Sequence, residues 1–207
     1  MAHDHDHDTG EPHDHEHDHD DLAAAEEAGE AAEERAREAV RRRALSQIRQ
    51  YPDVALRMQA KEVTVFDPLL AQLVERMLAL MADAQGVGLA ATQIGVLQRL
   101  FVFEHEGDGP HAVANPRLVD PSDERLSDEE GCLSLEGVRV PVERSARITV
   151  EGIDPSGEEV RFELEGLGAR VVQHETDHLD GVLIIDRTDA EHRKEALGQL
   201  RPQTVLR

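Results

Sequence analysis

The 207-residue chain has few aromatic residues, a single cysteine and no long apolar run. Phe, Tyr and Trp make up only 2% of the chain, which argues against a stacking platform for nucleic-acid bases. One cysteine excludes an internal disulfide and favours a cytoplasmic protein. No segment approaches the roughly 18 apolar residues of a membrane span, and the acidic N-terminus lacks the apolar core of a signal peptide. We therefore expect neither membrane insertion nor secretion.

Positive charge is also scarce. The chain has 22 Lys and Arg residues against 44 Asp and Glu, with a formal net charge of −22. This balance argues against general affinity for DNA or other nucleic acids. The hydrophobic fraction of 39% allows one substantial core, and the length suits one domain with a tail.

Two biased segments precede the predicted domain. Residues 1–21 carry seven of the twelve histidines and nine acidic residues, without Lys or Arg. This composition predicts a disordered arm. The arm is either a solvated, solubilising segment or a segment that binds metal ions weakly. Residues 22–45 are rich in Ala, Glu and Arg and predict an exposed helical extension. We place the catalytic domain at residues 46–207.

The hydrophobic pattern of this domain predicts an α+β fold. Asp67 before Pro68 predicts a helix N-cap, and apolar residues at helical spacing follow over 69–81. Alternation over 146–153 and 159–164 predicts a β-hairpin. The remaining predicted elements are strands at 100–103, 112–114, 118–119 and 182–185, and helices at 167–179 and 190–200. Strands and helices do not form a regular βαβ repeat, which favours the α+β class.

A His-Glu-x-x-His pattern lies in the predicted helix 167–179. His174 and His178 are four residues apart, so they share one helix face and can bind one metal ion at about 2.0–2.1 Å. Glu175 lies between them in sequence and is typical of the general base in such sites. The pattern alone also fits an ordinary surface helix with two histidines.

The only thiol is a candidate third ligand. Cys132 lies in the segment EGCLS at 130–134, and a thiolate binds soft or borderline metals strongly. A lone cysteine equally fits a small buried hydrophobic residue. Three protein ligands with an open fourth position are typical of catalytic metal sites. The segment GVGLAATQIG at 86–95 predicts a glycine-rich turn between a helix and a strand, and it lacks the Lys-Ser or Lys-Thr of a phosphate loop.

Taken together, GVGLAATQIG, EGCLS and QHETDHLDG closely resemble the three signature motifs of peptide deformylases. The resemblance covers roughly residues 48–186. It implies an α+β fold with mixed and antiparallel β-sheets packed around a central metal-binding helix, and with N-terminal and C-terminal helices. It also implies a metal-dependent hydrolase that removes the N-formyl group from the N-terminal methionine of newly synthesised polypeptides and releases formate.

The resemblance also implies roles for individual residues. Cys132, His174 and His178 match the metal ligands, and Glu175 matches the catalytic carboxylate. The side-chain amide of Gln93 and the backbone N–H of a neighbouring leucine match the groups that hold the oxygen of the formyl group. That leucine is Leu133. The residues that match the substrate groove are Gly88, Val87, Arg139 and Val171. Gly88 matches a backbone contact to the peptide, and the two valines line the pocket for the methionine side chain.

Three further positions carry charge near these motifs. Glu130 and Arg144 match positions that are usually charged in the family, and they predict either an ion pair that supports the Cys132 loop or two solvated surface charges. Glu136 departs from a proline that is common in the family, which leaves the substrate preference open.

The resemblance implies one divalent metal ion, with Fe²⁺ as the physiological ion, although Zn²⁺, Ni²⁺ and Co²⁺ also fit the ligand types. The implied partners are N-formylmethionyl nascent peptides, with transient ribosome contact through the mildly basic C-terminal segment. Two alternatives remain. A zinc endopeptidase would explain the two histidines but neither Cys132 nor Gln93, and a metal-storage protein would explain the N-terminal histidines.

Overall fold

A computed structural model describes residues 17–105 and 109–200, and their side chains from residue 28 onward. Most of the predicted arm, residues 1–16, lies outside the described residues. Helix α1 runs over His17–Leu45 and includes the segment 22–45. The chain divides into two units, Met1–Ala39 and Val40–Arg207. The assignment of an arm, an extension and a catalytic domain stays a prediction.

The unit Val40–Arg207 contains two antiparallel sheets and several helices, which confirms the α+β class. One sheet has five strands in the order β1-β2-β3-β6-β7, and the other pairs β4 with β5. The strands are β1 Gly88–Ala90, β2 Leu100–His105, β3 Gly109–Val119, β4 Arg125–Gly131, β5 Arg139–Ser145, β6 Arg147–Ile153 and β7 Glu159–Glu165. The further helices are α2 Pro68–Asp83, α3 Gly166–Leu179, α4 Ile184–Arg187 and α5 Ala190–Gln199, with 3₁₀ turns at Val54–Arg57 and Ala91–Ile94. In the described part of the chain, no helix combines the length and apolarity needed to cross a bilayer.

Helix α3 occupies the centre of the domain, as the fold prediction requires. It packs against β1, β2, β6 and β7 of the larger sheet and against β5 of the smaller one. Its apolar face, including Val172 and Leu179, joins Phe101, Phe103 and Val150 in a buried cluster. Burial of this face follows from the helical spacing of its apolar residues. The helix is thereby held between the two sheets.

The start of α2 follows the predicted capping chemistry. The Asp67 side chain accepts hydrogen bonds from the backbone N–H groups of Leu69 and Leu70, both at 3.0 Å. Pro68 occupies the first helical turn, where its missing N–H costs nothing. The apolar stripe, with Val74 and Met77 as examples, is buried in the core. The predicted helix is confirmed and extends two residues further, to Asp83.

Two strand predictions differ from the structure. The predicted strands 112–114 and 118–119 form one continuous strand, β3, with a register shift between Ala114 and Arg117. Asn115 has φ +50°, and its side-chain amide bonds the backbone N–H and carbonyl of Val63 at 2.8 and 2.9 Å. The bulge therefore absorbs the turn that the Asn-Pro pair predicts, without breaking the strand.

The prediction of a strand at 182–185 is wrong. These residues lead into helix α4, and Leu183, Ile184 and Ile185 are buried against the smaller sheet. The Asp186 carboxylate accepts the Leu183 N–H at 2.9 Å and pairs with Arg57, which stabilises a helical turn. A short apolar run fits a buried strand or a buried helix equally well, so periodicity could not decide.

The Asp186 contacts predict a pH-dependent stability. Although partial burial raises the pKa of Asp186, the Arg57 hydrogen bond and the Leu183 N–H lower it below its ordinary value of 3.8. Because the folded state favours the carboxylate, its stabilisation is complete above that value and is lost as the pH falls through the lower folded pKa. We expect Asp186→Asn to cost ~1–2 kcal/mol of unfolding free energy at pH 7.

This difference should shrink as the solution is acidified below pH 4, which urea unfolding at a series of pH values can measure. Asp123→Asn is a suitable control, since Asp123 is exposed and lies in the loop between β3 and β4. A loss of stability in Asp186→Asn that does not depend on pH would contradict the electrostatic origin.

Candidate active site

Three potential metal ligands from separate segments meet in the domain. One donor atom each from Cys132, His174 and His178 lies within 4.8 Å of the others. The Cys132 Sγ lies 3.2 Å from the His178 Nε2. Metal–ligand bonds of about 2.0–2.3 Å place the donors of a tetrahedral site roughly 3.3–3.8 Å apart, so small movements suffice to fit one ion. Thiolate and imidazole donors suit a borderline divalent metal.

The elements that carry these residues explain why they meet. The two histidines lie one turn apart on α3, with ring centroids 4.9 Å apart. Cys132 directly follows β4, and the other strand of that hairpin, β5, packs against α3. The helix therefore supplies two donors on one face, and the end of the hairpin supplies the third.

The contacts of the two imidazoles leave the Nε2 atom of each ring available to bind a metal ion. The His174 Nδ1 lies 2.9 Å from the Glu130 Oε2, which leaves its Nε2 for the ion. A carboxylate in this position orients a ligating histidine and sets its tautomer. The Nδ1 of His178 is buried without a hydrogen-bond partner among the described residues, and its Nε2 faces the thiol. The donor set thus fits a single divalent ion.

The two histidines also differ electrostatically. Burial disfavours the His174 cation, yet hydrogen bonds to Cys132 and Glu130 raise the pKa of His174 well above its ordinary value. Burial, together with the charges of His174 and Arg144, lowers the pKa of His178. In the metal-free protein, His178 is therefore neutral, the form that binds a metal.

Glu130 and Arg144 form the predicted ion pair, which is confirmed. The Arg144 guanidinium donates to both carboxylate oxygens of Glu130, at 2.9 and 3.0 Å. Both residues are buried, at 4% and 5% exposure, so the alternative of two solvated surface charges is wrong. Burial raises the pKa of Glu130, but hydrogen bonds from His174 and Arg144 and the Arg144 charge bring it to about 2. Glu130 is therefore ionised at neutral pH, and its negative charge lies beside the His174 ring.

Sequence reasoning missed the rest of this charged network. Arg144 also donates to Asp177 at 2.6 Å, and Asp177 accepts from Arg187 at 2.5 and 3.0 Å. Arg170 donates to Glu130 at 2.8 Å. Arg170 lies four residues before a histidine of the motif, so helical spacing could have identified it. Arg187 carries no such local signal.

Glu175 is buried beside these ligands and is not one of the three donors. Its Oε2 makes no hydrogen bond with any described residue, and burial raises its pKa to about 7. A Cβ on Gly88 would overlap the Glu175 Oε1 and lie 2.9 Å from the Val171 Cγ1. Gly88 is therefore required for the position of this carboxylate. A carboxylate with a pKa near 7 is suited to proton transfer at neutral pH.

Gln93 lies in the 3₁₀ turn Ala91–Ile94, and its side chain reaches the thiol ligand from there. It is 1% exposed, and its Oε1 accepts the Ala90 N–H at 2.8 Å. Its Nε2 donates to the Ser134 Oγ at 3.2 Å and lies 3.8 Å from the Cys132 Sγ. Sequence reasoning missed Ser134, which orients the amide. With both ends held, the amide is presented as a fixed hydrogen-bond donor.

A cavity of about 480 Å³ opens onto this constellation. It is lined by all but one of the residues to which the motifs pointed, the exception being the fully buried His178. The lining residues among them are Val87, Gly88, Gln93, Cys132, Leu133, Arg139, Val171, His174 and Glu175. Glu136 also lines this cavity. The structure therefore brings the three motifs to one concave surface.

Comparison of the sequence with known proteins identifies a family with the same motifs. The family model for polypeptide deformylase matches residues 45–194. The peptide deformylase of Acidothermus cellulolyticus is 49% identical over 158 residues, which cover 76% of this chain and 87% of that protein. A peptide deformylase of Thermotoga maritima is 50% identical over 147 residues, covering 71% of this chain and 89% of that protein.

Solved structures give the same result. The crystal structure of peptide deformylase from Thermotoga maritima matches with a TM-score of 0.66 and 51% identity, covering 69% of this chain and 96% of that one. Arabidopsis thaliana peptide deformylase 1B in complex with an inhibitor matches with a TM-score of 0.70 and 36% identity. That alignment covers 74% of this chain and 89% of the plant protein.

Proposed function

The chain belongs to the polypeptide deformylase family, and from this premise we propose which reaction it catalyses and how. The enzyme removes the formyl group from the N-terminal methionine of newly synthesised polypeptides. The observation that carries the proposal is the meeting of Cys132, His174 and His178 beside the buried Glu175 and Gln93 in one cavity. Water adds to the formyl carbon, the carbon–nitrogen bond breaks, and formate and a free amine are released.

Cys132, His174 and His178 would hold the metal ion of this enzyme. A divalent ion at this set supplies Lewis acidity and makes bound water more acidic. Glu130 supports the arrangement, because its hydrogen bond to Nδ1 directs the opposite nitrogen of His174 toward the other ligands. The mixed thiolate and imidazole donors fit Fe²⁺, Zn²⁺, Ni²⁺ or Co²⁺, and we propose Fe²⁺ as the ion in the cell.

Glu175 moves the proton during the reaction. Its carboxylate accepts a proton from the attacking water and delivers it to the nitrogen that leaves as the amine. A pKa of about 7 supports both steps, since the group is then neither too weak a base nor too weak an acid near neutral pH. Gly88 supports this role because it leaves room for the carboxylate.

Negative charge develops on the formyl oxygen when water attacks the carbon. We assign its stabilisation to the Gln93 side-chain amide and the Leu133 backbone N–H, both of which line the cavity. The hydrogen bonds of Gln93 to Ala90 and Ser134 hold the amide in place before the substrate binds. Preorganised donors of this kind need no rearrangement in the transition state.

Gln93→Leu should lower kcat with little change in metal content. The substitution keeps the approximate volume but removes the donor, and loss of one such donor costs about 3 kcal/mol, or roughly 100-fold in kcat. Formate release and metal analysis on the same sample measure both quantities. Gln98→Leu serves as a matched control, because this glutamine lies outside the cavity lining. Unchanged kcat in Gln93→Leu would remove the amide from the mechanism.

The remaining cavity residues suit a peptide that begins with methionine. Val87 and Val171 provide an apolar wall for the methionine side chain, and Gly88 and Arg139 line the path of the peptide backbone. Nascent chains are the proposed substrates, with transient ribosome contact and a cytoplasmic location. Glu136 and Arg139 also place one charge of each sign along the cavity.

The decisive experiment compares two tripeptides on the metal-loaded full chain under anaerobic conditions. Formyl-Met-Ala-Ser should release formate, whereas acetyl-Met-Ala-Ser should be hydrolysed far more slowly, if at all. A zinc endopeptidase would instead cleave an internal peptide bond of blocked peptides. A storage protein would bind several ions and release no formate. Absence of formate release from the formylated peptide would overturn the proposed function.

A further inference from the structure

Arg170 makes three hydrogen bonds, two of them buried and one partly buried, that join helix α3 to the β4–β5 hairpin. Its side chain is 11% exposed and lies one helical turn before His174. It donates to the Glu130 Oε1 at 2.8 Å, to the Val142 carbonyl at 2.8 Å and to the Leu126 carbonyl at 2.9 Å. Leu126 lies on β4 and Val142 on β5, so one guanidinium ties the helix to both strands.

The same guanidinium completes the hydrogen bonding of Glu130. Its Oε1 accepts from Arg144 at 2.9 Å and from Arg170 at 2.8 Å. Its Oε2 accepts from Arg144 at 3.0 Å and lies 2.9 Å from the His174 Nδ1. A carboxylate offers about four acceptor positions, and all four are used here. Rotation of the carboxylate would therefore break at least one charged hydrogen bond.

This geometry matters because the proposed ligands are divided between the two elements that Arg170 joins. Cys132 directly follows β4, whereas His174 and His178 lie on α3. A slight displacement of the hairpin relative to the helix would separate the thiol from the imidazoles. Arg144 also bridges the elements through Asp177, but of the two arginines it is Arg170 whose guanidinium bonds backbone carbonyls of both strands.

We propose that Arg170 is a positioning residue for the metal centre, which sets the distance between the thiol and the imidazoles by holding the hairpin on α3 and fixing Glu130 against His174. The inference rests on the proposed function, since it assumes that Cys132, His174 and His178 bind the ion. Arg170 touches neither the ion nor the substrate, so its loss should weaken and distort metal binding.

The effect can be measured by binding Co²⁺ to the metal-free full chain under anaerobic conditions. The visible absorption of bound Co²⁺ reports the geometry and the thiolate ligand, and a titration reports the affinity. Arg170→Met keeps the apolar stem and removes all three hydrogen bonds. Arg170→Lys keeps the charge but lacks the planar fork that reaches all three acceptors. Arg125→Met is the matched control, because Arg125 lies on the same hairpin but bonds Ser145 and pairs with Glu143.

We expect Arg170→Met to bind Co²⁺ at least ~10-fold more weakly and with a changed absorption spectrum, as is typical of residues that orient ligands. Arg170→Lys should fall between Arg170→Met and the wild type, and Arg125→Met should match the wild type. Thermal unfolding of the metal-free proteins separates this effect from a loss of stability. If Arg170→Met did not fold, the spectrum and affinity of Arg170→Lys would serve the same comparison.

Two results would overturn the inference alone. The first is a wild-type spectrum and affinity in the Arg170 variants, even with lowered stability, which would make the role purely structural. The second is an equal change in Arg125→Met, which would make the effect general to the hairpin. By contrast, a wild-type chain that binds no Co²⁺ with thiolate character would overturn the proposed metal centre itself, so the two failures are distinguishable.

Discussion

Substitution of Glu175 by alanine should abolish nearly all deformylation while one metal ion stays bound. The carboxylate is buried beside the three donor atoms but is not one of them, so its removal leaves the ligand set complete. General acid–base catalysis contributes about 10²–10⁴-fold to a rate, and here one group serves in both proton transfers. We expect kcat to fall at least ~10³-fold, which corresponds to about 4 kcal/mol in the activation free energy.

The measurement pairs formate release with metal analysis on the same preparation. Glu175→Gln should be as inactive as Glu175→Ala, because the amide keeps the volume but cannot take up the proton. Glu129→Gln is the matched control, since this glutamate lines the same cavity but lies on the exposed end of β4. Turnover near the wild-type level in Glu175→Gln would exclude the residue from proton transfer.

Replacement of Cys132 by serine should weaken metal binding at least ~100-fold, because residues that only orient a ligand already account for 10–100-fold. A serine hydroxyl is uncharged at neutral pH and is a poor ligand, whereas the thiol can lose its proton and bind as a thiolate. The proximity of the Cys132 Sγ to the His178 Nε2, at 3.2 Å, makes the sulfur a direct ligand in this interpretation.

Weaker metal binding in Cys132→Ser should also reduce the stabilisation of the folded protein by metal. An ion that binds only the folded state raises the unfolding free energy in proportion to the logarithm of its concentration over its dissociation constant. The melting temperature of the wild type should therefore rise on addition of metal, and that of Cys132→Ser should rise much less. Ser134→Ala, in the same loop, should keep wild-type affinity. An undiminished metal content in Cys132→Ser would show that the sulfur is not a ligand.

The charged network around Glu130 shows how the fold maintains this arrangement. Arg144 and Asp177 link the smaller sheet to α3, and Arg187 extends the link to α4. Buried charges that lose one partner are left uncompensated, at a cost of about 3–5 kcal/mol. The network is thus stable only when complete, which favours a single orientation of the His174 ring.

Much of the local structure was predictable because its causes lie within a few residues. The N-cap of α2 depends on Asp67 and the two amides that follow Pro68, and the shared face of His174 and His178 depends only on helical spacing. The hairpin of β6 and β7 follows from alternation around a turn. The run at 182–185 was different, since its helical state depends on a contact between Asp186 and the distant Arg57.

By itself, the sequence determined the α+β class, the family and the set of residues that can carry the chemistry, because motifs and periodicity are properties of neighbouring positions. Only the tertiary structure decided that the Cys132 sulfur approaches His178, that Glu130 and Arg144 are buried partners, and that Arg170 joins the helix to the hairpin. These contacts join residues far apart in the chain. Their distances, burial and pKa values arise from packing and desolvation, which no local pattern encodes.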